Sequence, residues 1–347
     1  MTMKNARAND ETSHGGRLGI LVLEAVIAVE GDLTFDAFPG SAVRGAVGRA
    51  LRASACLTGA PRCTTDGQPC PVMATCAYGY IWEMSRHKVA DSGWFPQPMA
   101  PYLFSTPWRW NGLRLRNGEE MRVEIKLIGA ARAFAPAVAL ALRDAFEGWV
   151  GSPLHRGRHR LLSVNRRERD GRSRPITLDG QVDDLSAQPT HWLRAPVPDP
   201  FDAAHGWLRF KTPLWLRNQE RETLTQFDAE RFSADLCRRV IHLSEFHERD
   251  PIELDWARLR AQAREVQIVD RSWVQSLRET RMRGGTGEVI PVAGIWGSVQ
   301  VANVGPELSA LWKYARWVHV GHESVLGLGQ ATWEPAQENR SEKRSMG

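Results

Sequence analysis

The residues best suited to chemistry lie in two stretches punctuated by glycine. Val150 to Leu161 reads V-G-S-P-L-H-R-G-R-H-R-L, and Val320 to Trp333 reads V-G-H-E-S-V-L-G-L-G-Q-A-T-W. The first sets His155 and His159 among Arg156, Arg158 and Arg160. The second places His322 among Gly321, Gly327 and Gly329. Histidine titrates near neutrality and can take up or release a proton, and arginine offers a planar fork that suits phosphate. Together they can deprotonate a hydroxyl and stabilise the charge that develops on an attacked phosphate. Glycine allows a loop to turn its N–H groups toward such an anion. No Lys-Ser/Thr pair follows the last glycine, so neither stretch is a nucleotide P-loop. The alternative for each is a tight turn between a helix and a strand. Laid on one another, Val150, Gly151 and Gly157 match Val320, Gly321 and Gly327, which marks two related halves.

A third basic stretch, Phe38 to Ser54, reads F-P-G-S-A-V-R-G-A-V-G-R-A-L-R-A-S. Ser41 can cap a helix rich in small residues. Glycine in a helix costs about 1 kcal/mol relative to alanine, so Gly45 and Gly48 imply a close neighbour, either a sheet or an RNA backbone. Arg44, Arg49 and Arg52 project from this helix as phosphate contacts or as solvated charges. Cys56, Cys63, Cys70 and Cys76 follow, spaced by six, six and five intervening residues. These are not C-x-x-C pairs, yet four thiols in a Pro- and Gly-containing loop suggest a structural zinc, with free thiols or a disulfide as alternatives. Four thiolates would leave no open catalytic position. Cys237 sits in a helical pattern and reads as core.

The rest of the chain supplies the scaffold. Its 347 residues suffice for two domains, and no apolar run is long enough to cross a membrane. With no signal-peptide pattern, a cytoplasmic location is expected. The net charge is +5, and only six of the 45 basic residues are lysine. That composition fits an anionic partner, although a GC-rich genome would give the same arginine bias. Residues 1–17 read as a disordered leader and 336–347 as a disordered tail. Leu18–Val29, Met121–Ile128 and Arg160–Val164 read as strands and Phe134–Val150 as a helix, forming an N-terminal domain to residue 200. An aromatic, Pro-rich run from Tyr78 to Trp110 holds Arg86, His87 and Lys88, and an Arg-rich linker covers Asn165–Pro200. In the C-terminal domain, 201–335, Trp207–Leu216 and Val289–Val301 read as strands. Phe232–Phe246, Trp256–Glu265 and a segment opened by Pro306 read as helices. Arg278, Arg281 and Arg283 precede the Gly284–Gly285 turn. The order in each half is βαββαβ, so the expected fold is α+β, with tandem ferredoxin-like (RRM-like) domains and a Cys-rich insertion (56–76) in the first.

The Phe38–Gly48 stretch, the cysteines ending in Cys76-Ala77-Tyr78, Thr212-Pro213, and His319-Val320-Gly321 through Gly327-Leu328-Gly329 occur in an order that resembles the CRISPR-associated pre-crRNA-processing endoribonucleases of the RAMP superfamily. The resemblance covers about Leu18 to Trp333, and the C-terminal glycine loop is its most specific motif. It implies tandem ferredoxin-like domains that bind CRISPR repeat RNA and cut at the stem-loop base without a metal, by attack of a 2′-hydroxyl. It also implies retention of the product hairpin as a subunit of an effector complex, here of a type IV-like system. Members often carry histidine where this chain has Arg49. The catalytic candidates are therefore His155, His159 and Arg49, with His322 and His87 as other histidines. The RNA-binding set is Arg44, Arg52, Arg156, Arg158, Arg160, Arg281, Arg283, Gly321, His322, Gly327 and Gly329. No cofactor is expected for catalysis. Alternative readings are a non-catalytic RNA-binding subunit of the same superfamily and a zinc-stapled protein-interaction module.

Overall fold

The computed structural model describes residues 16–35, 38–56, 58–59, 63–65, 68–83, 97–109, 112–147, 158–176, 187–200, 202–272, 274–282 and 289–337. The expected leader as far as Gly15, His87, the first glycine stretch through Gly157, and the tail past Gln337 lie outside them, while Arg17, the last residue of that leader, opens the first strand.

The first half runs β1 (Arg17–Val29), β2 (Leu33–Phe35), α1 (Pro39–Ala55), β3 (Thr64–Thr65), β4 (Gln68–Pro69), β5 (Tyr102–Ser105), β6 (Leu113–Leu115), β7 (Glu120–Ile128), α2 (Ala135–Glu147), β8 (His159–Arg167), β9 (Ser173–Pro175) and β10 (His191–Arg194). Its sheet has the order β5-β7-β1-β8-β9, with every neighbour antiparallel and β10 paired to the start of β1. If β1, β5, β7 and β8 are counted as the four strands of one βαββαβ unit, this is the order 2-3-1-4 of a ferredoxin-like sheet.

The second half runs β11 (Asp202–Leu214), α3 (Ala229–His247), α4 (Trp256–Glu265), β12 (Gln267–Asp270), β13 (Val274–Met282), β14 (Val289–Ala302), α5 (Pro306–Trp312), α6 (Ala315–Val318) and β15 (Ala331–Gln337). Its sheet repeats the order: β15 and β14 flank β11, while β12 and β13 share the far edge of β14.

Burial explains the two kinds of strand. β1 is apolar along nearly its whole length. Leu21, Leu23, Ala25 and Ile27 face α1 and α2, while Leu18, Ile20 and Val22 join the cluster around α3. Both faces of the first sheet are therefore covered, α3 lying between the two sheets. In β11 the pattern alternates instead: Leu208 and Phe210 are buried, whereas Arg209 and Lys211 are exposed. The second sheet packs its helices on one face only.

Three expectations need correction. Ser41 does not cap α1, because the helix begins at Pro39, whose missing N–H suits the first turn, and Phe38 is the residue before it. The presumed linker is not a linker: β8 runs on to Arg167, and β9 and β10 add strands to the first sheet. The expected tail contributes its first two residues, Ala336 and Gln337, to β15.

The joint between the halves is apolar with buried polar ties. Lys126 of β7 donates to the Arg316 carbonyl at 2.8 Å and lies 3.2 Å from His319 Nε2, while His319 Nδ1 is 3.2 Å from the Leu328 carbonyl. A neutral His319 with its proton on Nδ1 satisfies both contacts. Burial, with Lys126 alongside, keeps His319 well below its ordinary pKa, and burial brings Lys126 down to about 8. On α3, His247 bridges Tyr80 Oη (2.8 Å) and the Met99 carbonyl (2.8 Å), and His242 meets the Gln97 carbonyl at 2.8 Å.

Burial lowers the pKa of His242 and of His247 to about 4. The unfolded chain therefore binds these protons first, so the joint is fully stable above pH about 6.5 and weakens as pH falls toward 4. Denaturant unfolding at pH 7 and at pH about 5 should show a clear loss at the lower pH. His247→Gln should flatten this slope, and parallel slopes for variant and parent would count against the assignment.

Candidate nucleic-acid interface

The N-terminal half of α1 lies against the C-terminal glycine loop. A Cβ on Gly40 would overlap the Leu326 carbonyl oxygen, and one on Gly48 would press into the Trp82 indole. Gly40 and Gly48 are thus explained by protein neighbours, whereas a Cβ on Gly45 would meet only Arg49 Nη1, at 3.4 Å.

Arg44 points along this joint. Its Nε donates to Tyr102 Oη at 2.8 Å. Burial opposes its charge, but Tyr102, Glu323 and Glu83 more than offset that, so the guanidinium stays protonated. Arg52 lies over the Tyr78 ring, 5.6 Å from its centroid, and Arg49 is exposed. The three arginines therefore differ in role: Arg44 is braced inside the joint, while Arg49 and Arg52 lie nearer solvent.

The glycine loop itself is tightly internal. Its N–H groups are committed: His322 donates to the Trp215 carbonyl (2.9 Å), Leu326 to Glu323 (2.9 Å), Gly327 to Ser324 (3.0 Å), Gly329 to Pro213 (2.8 Å) and Gln330 to Thr212 Oγ1 (3.0 Å). Thr212 Oγ1 in turn donates to the Gly327 carbonyl at 2.7 Å. The expected phosphate cradle of outward N–H groups is not formed by Gly327 or Gly329. Both take positive φ, +105° and +70°, and pack on protein: a Cβ on Gly327 would stand 2.8 Å from the Phe104 carbonyl oxygen. Gly321 likewise backs onto the Trp215 carbonyl.

What the rigid loop does present is His322. The side chain is exposed beside Trp215, with ring centroids 5.6 Å apart, and Arg217 lies over the same indole at 5.1 Å. Partial burial, with Arg217 and then Arg238 nearby, lowers its pKa from the ordinary 6.5, against the pull of Asp235 and Glu323. An imidazole held neutral next to a cation is the pairing that base-assisted attack on a phosphate requires.

The other candidates lie elsewhere. His159 pairs with Val29 at the end of β1 and, with Glu30, Arg143, Glu147 and Arg160, lines a groove of about 570 Å³. Arg160 is held by Glu30 at 2.9 Å, and Arg158 is exposed next to Gly31. His159 is thus on a strand end beside α2, whereas Arg49 is on α1. His155, Arg156 and Arg283 are outside the described residues. Arg281 is on β13, whose pairing with residues 289–294 of β14 continues past the last β11 partner, Ile295, as a two-stranded arm.

The four cysteines are neighbours, since Cys56, Cys70 and Cys76 contribute, after burial and Glu83, to raising the Cys63 thiol to about 11. Cys76 Sγ, however, donates to the Ala55 carbonyl at 3.2 Å, and Thr58 Oγ1 lies 3.9 Å from Cys56 Sγ and 4.0 Å from Cys70 Sγ. Among the described residues no three His, Cys, Asp or Glu side chains are arranged to hold a metal. Cys237 is in the core.

Sequence reasoning missed Arg217, Trp215, Tyr102 and Glu323. None lies in a basic run or at a helix face, and only the packing of β11 and β5 on the loop brings them together. Glu323, adjoining His322, has a positive φ of 56°, a strained non-glycine inside a glycine-rich turn that only the structure shows.

Residues 208–331 match the family model of CRISPR-associated endoribonuclease Cas6, and residues 18–190 match a model named AF_1859_N, an N-terminal domain. No curated protein matches the chain. Among solved structures, a Thermus thermophilus Cas6 superposes with a TM-score of 0.52 at 12% identity, over 93% of this chain and 100% of that one. A Cas6 product complex gives 0.50 at 14%, over 91% and 99%. A partial Cas6-RT-Cas1–Cas2 complex gives 0.50 at 12%, over 93% of this chain and 47% of that one. At these identities the likeness is one of fold.

Proposed function

We propose, because the chain carries a CRISPR-associated endoribonuclease Cas6 domain over residues 208–331, that it binds CRISPR repeat RNA, cuts it at the base of its stem-loop and retains the hairpin. The observation that carries this reading is His322 of the glycine loop, exposed beside Trp215 with Arg217 and Arg238 nearby. In the proposed reaction a neutral histidine takes the proton of the 2′-hydroxyl. The freed oxygen attacks the adjacent phosphorus, and the 5′-oxygen leaves and is protonated. The products are a 2′,3′-cyclic phosphate and a 5′-hydroxyl. Base, cation and acid all come from side chains, so the scheme needs no metal. Duplex RNA would be held through phosphates by Arg49, Arg52 and the arm carrying Arg281.

His322 is placed better than His159 for the base, since His159 lies beside α2 and not beside the loop. A non-catalytic RNA-binding subunit is the second reading, favoured by Arg49 standing on α1 where relatives often carry histidine. Both readings meet one test: labelled repeat RNA, with and without a 2′-deoxy sugar at the cut site, in excess EDTA. Cleavage of the ribose substrate alone is expected. Binding with no product moves the assignment to the non-catalytic subunit, and no binding at all overturns both. Assembly with other effector subunits is proposed on the same basis.

A further inference from the structure

We propose that the outer face of the second sheet is a stacking platform for an unpaired RNA segment, with Trp296 and Trp108 as its aromatic surfaces and Arg109, Arg209 and Lys211 as its phosphate contacts. The inference rests on the RNA-binding reading above and adds a second contact region to it.

The alternation of β11 and β14 turns this face away from the side that carries the helices. The apolar work is done on the other side by Leu208, Phe210, Ile295, Val299 and Trp312. The outer side nevertheless carries Trp296 on β14, half-buried and next to Trp108, with ring centroids 5.3 Å apart at an interplanar angle of 69°. The two rings and the three cations line a groove of about 500 Å³, within the range of about 300–1,000 Å³ typical of ligand sites. Trp108 Nε1 is buried with no hydrogen-bond partner among the described residues. Trp207, farther along β11, extends the aromatic surface, with Arg209 above its ring at 5.8 Å. The acid beside this row, Glu334, is already paired with Arg209 at 2.7 Å.

Aromatic faces interleaved with cations fit a single strand, whose bases are free to stack while its phosphates meet the arginines and lysine. A duplex offers its phosphates but keeps its bases stacked within the helix. Trp108 also packs against Phe38, Trp215, Leu326 and Leu328, at the glycine loop. The platform therefore adjoins the candidate cleavage site, where the unpaired nucleotides beside a stem-loop base would emerge.

The test uses the full chain with two fluorescent probes, a short single-stranded oligoadenylate and a blunt, fully paired RNA hairpin. Trp296→Ala is expected to weaken oligoadenylate binding about tenfold while leaving hairpin affinity within about twofold, and Trp296→Phe should restore most of the loss. Lys211→Glu, at an exposed position, should give the same selective loss and guards against a folding defect in the first variant. Equal oligoadenylate affinity for parent, Trp296→Ala and Lys211→Glu overturns the platform and leaves the face to a protein partner. A parent that binds the hairpin but not the oligoadenylate also overturns the platform and spares the RNA reading. A parent that binds neither probe removes both.

Discussion

Gly329→Ala is expected to destabilise the protein by about 3 kcal/mol or more, enough to separate the glycine loop from both domains. Two costs combine. A left-handed backbone at a non-glycine residue costs about 1–2 kcal/mol, and Gly329 sits at a φ of +70°. The added methyl would also overlap the Val320 carbonyl oxygen, a backbone atom that cannot swing aside as a flexible side chain would. The relevant N–H groups are fixed on both sides: Val320 donates to the Gly329 carbonyl at 2.9 Å and Gly329 to the Pro213 carbonyl at 2.8 Å. Gly59→Ala is the internal control, since its φ of +63° carries the same backbone cost with nothing within 4 Å of the new methyl. Denaturant unfolding of the two variants isolates the packing cost, and a Gly329→Ala loss no larger than that of Gly59→Ala would refute the account. The same reasoning applies to Gly327→Val. Its clash with the Phe104 carbonyl makes it a stability variant first, and any loss of RNA binding would follow from the displaced loop.

Much of the architecture was legible because burial writes different patterns. The unbroken apolar run of β1 and the alternation of β11 distinguish a sheet covered on both faces from one covered on a single face. The helix from Trp256 to Glu265 has the bounds its pattern predicts, with Asp255 Oδ1 accepting from Arg258 N at 3.0 Å as a cap. Segments whose pairing is non-local were read poorly. β9 and β10 are only three and four residues long, and they are strands only because β8 and β1 have free edges to offer them. The glycines were noticed for the right reason, close approach of backbone, but sequence cannot say what approaches. Here the neighbours are carbonyls of Pro213, Trp215, Phe104 and Val320, not a phosphate. Likewise the four cysteines converge, with Cys76 on the Ala55 carbonyl and Cys70 beside the Thr58 hydroxyl, contacts their spacing could not show.

The site was the least legible part, and His322→Ala is the variant that tests its reassignment. Single-turnover cleavage of repeat RNA should fall by about 10²–10⁴-fold, the usual contribution of a positioned proton-transfer group, while hairpin affinity changes little, because the loop N–H of residue 322 still bonds to Trp215. The pH profile separates a base from a merely structural side chain. A general base works only when neutral, and burial with Arg217 and Arg238 depresses the His322 pKa below 6.5. The rate should therefore stay level as pH drops from 8 to about 6.5 and decline only below that. Arg217→Ala removes a charge that favours the neutral imidazole, so the decline should begin at higher pH, in addition to any loss of phosphate stabilisation. A structural histidine would give no such displacement. If His322→Ala cleaves at the parental rate, the base belongs to the first glycine stretch, and His155 and His159 become the positions to replace next.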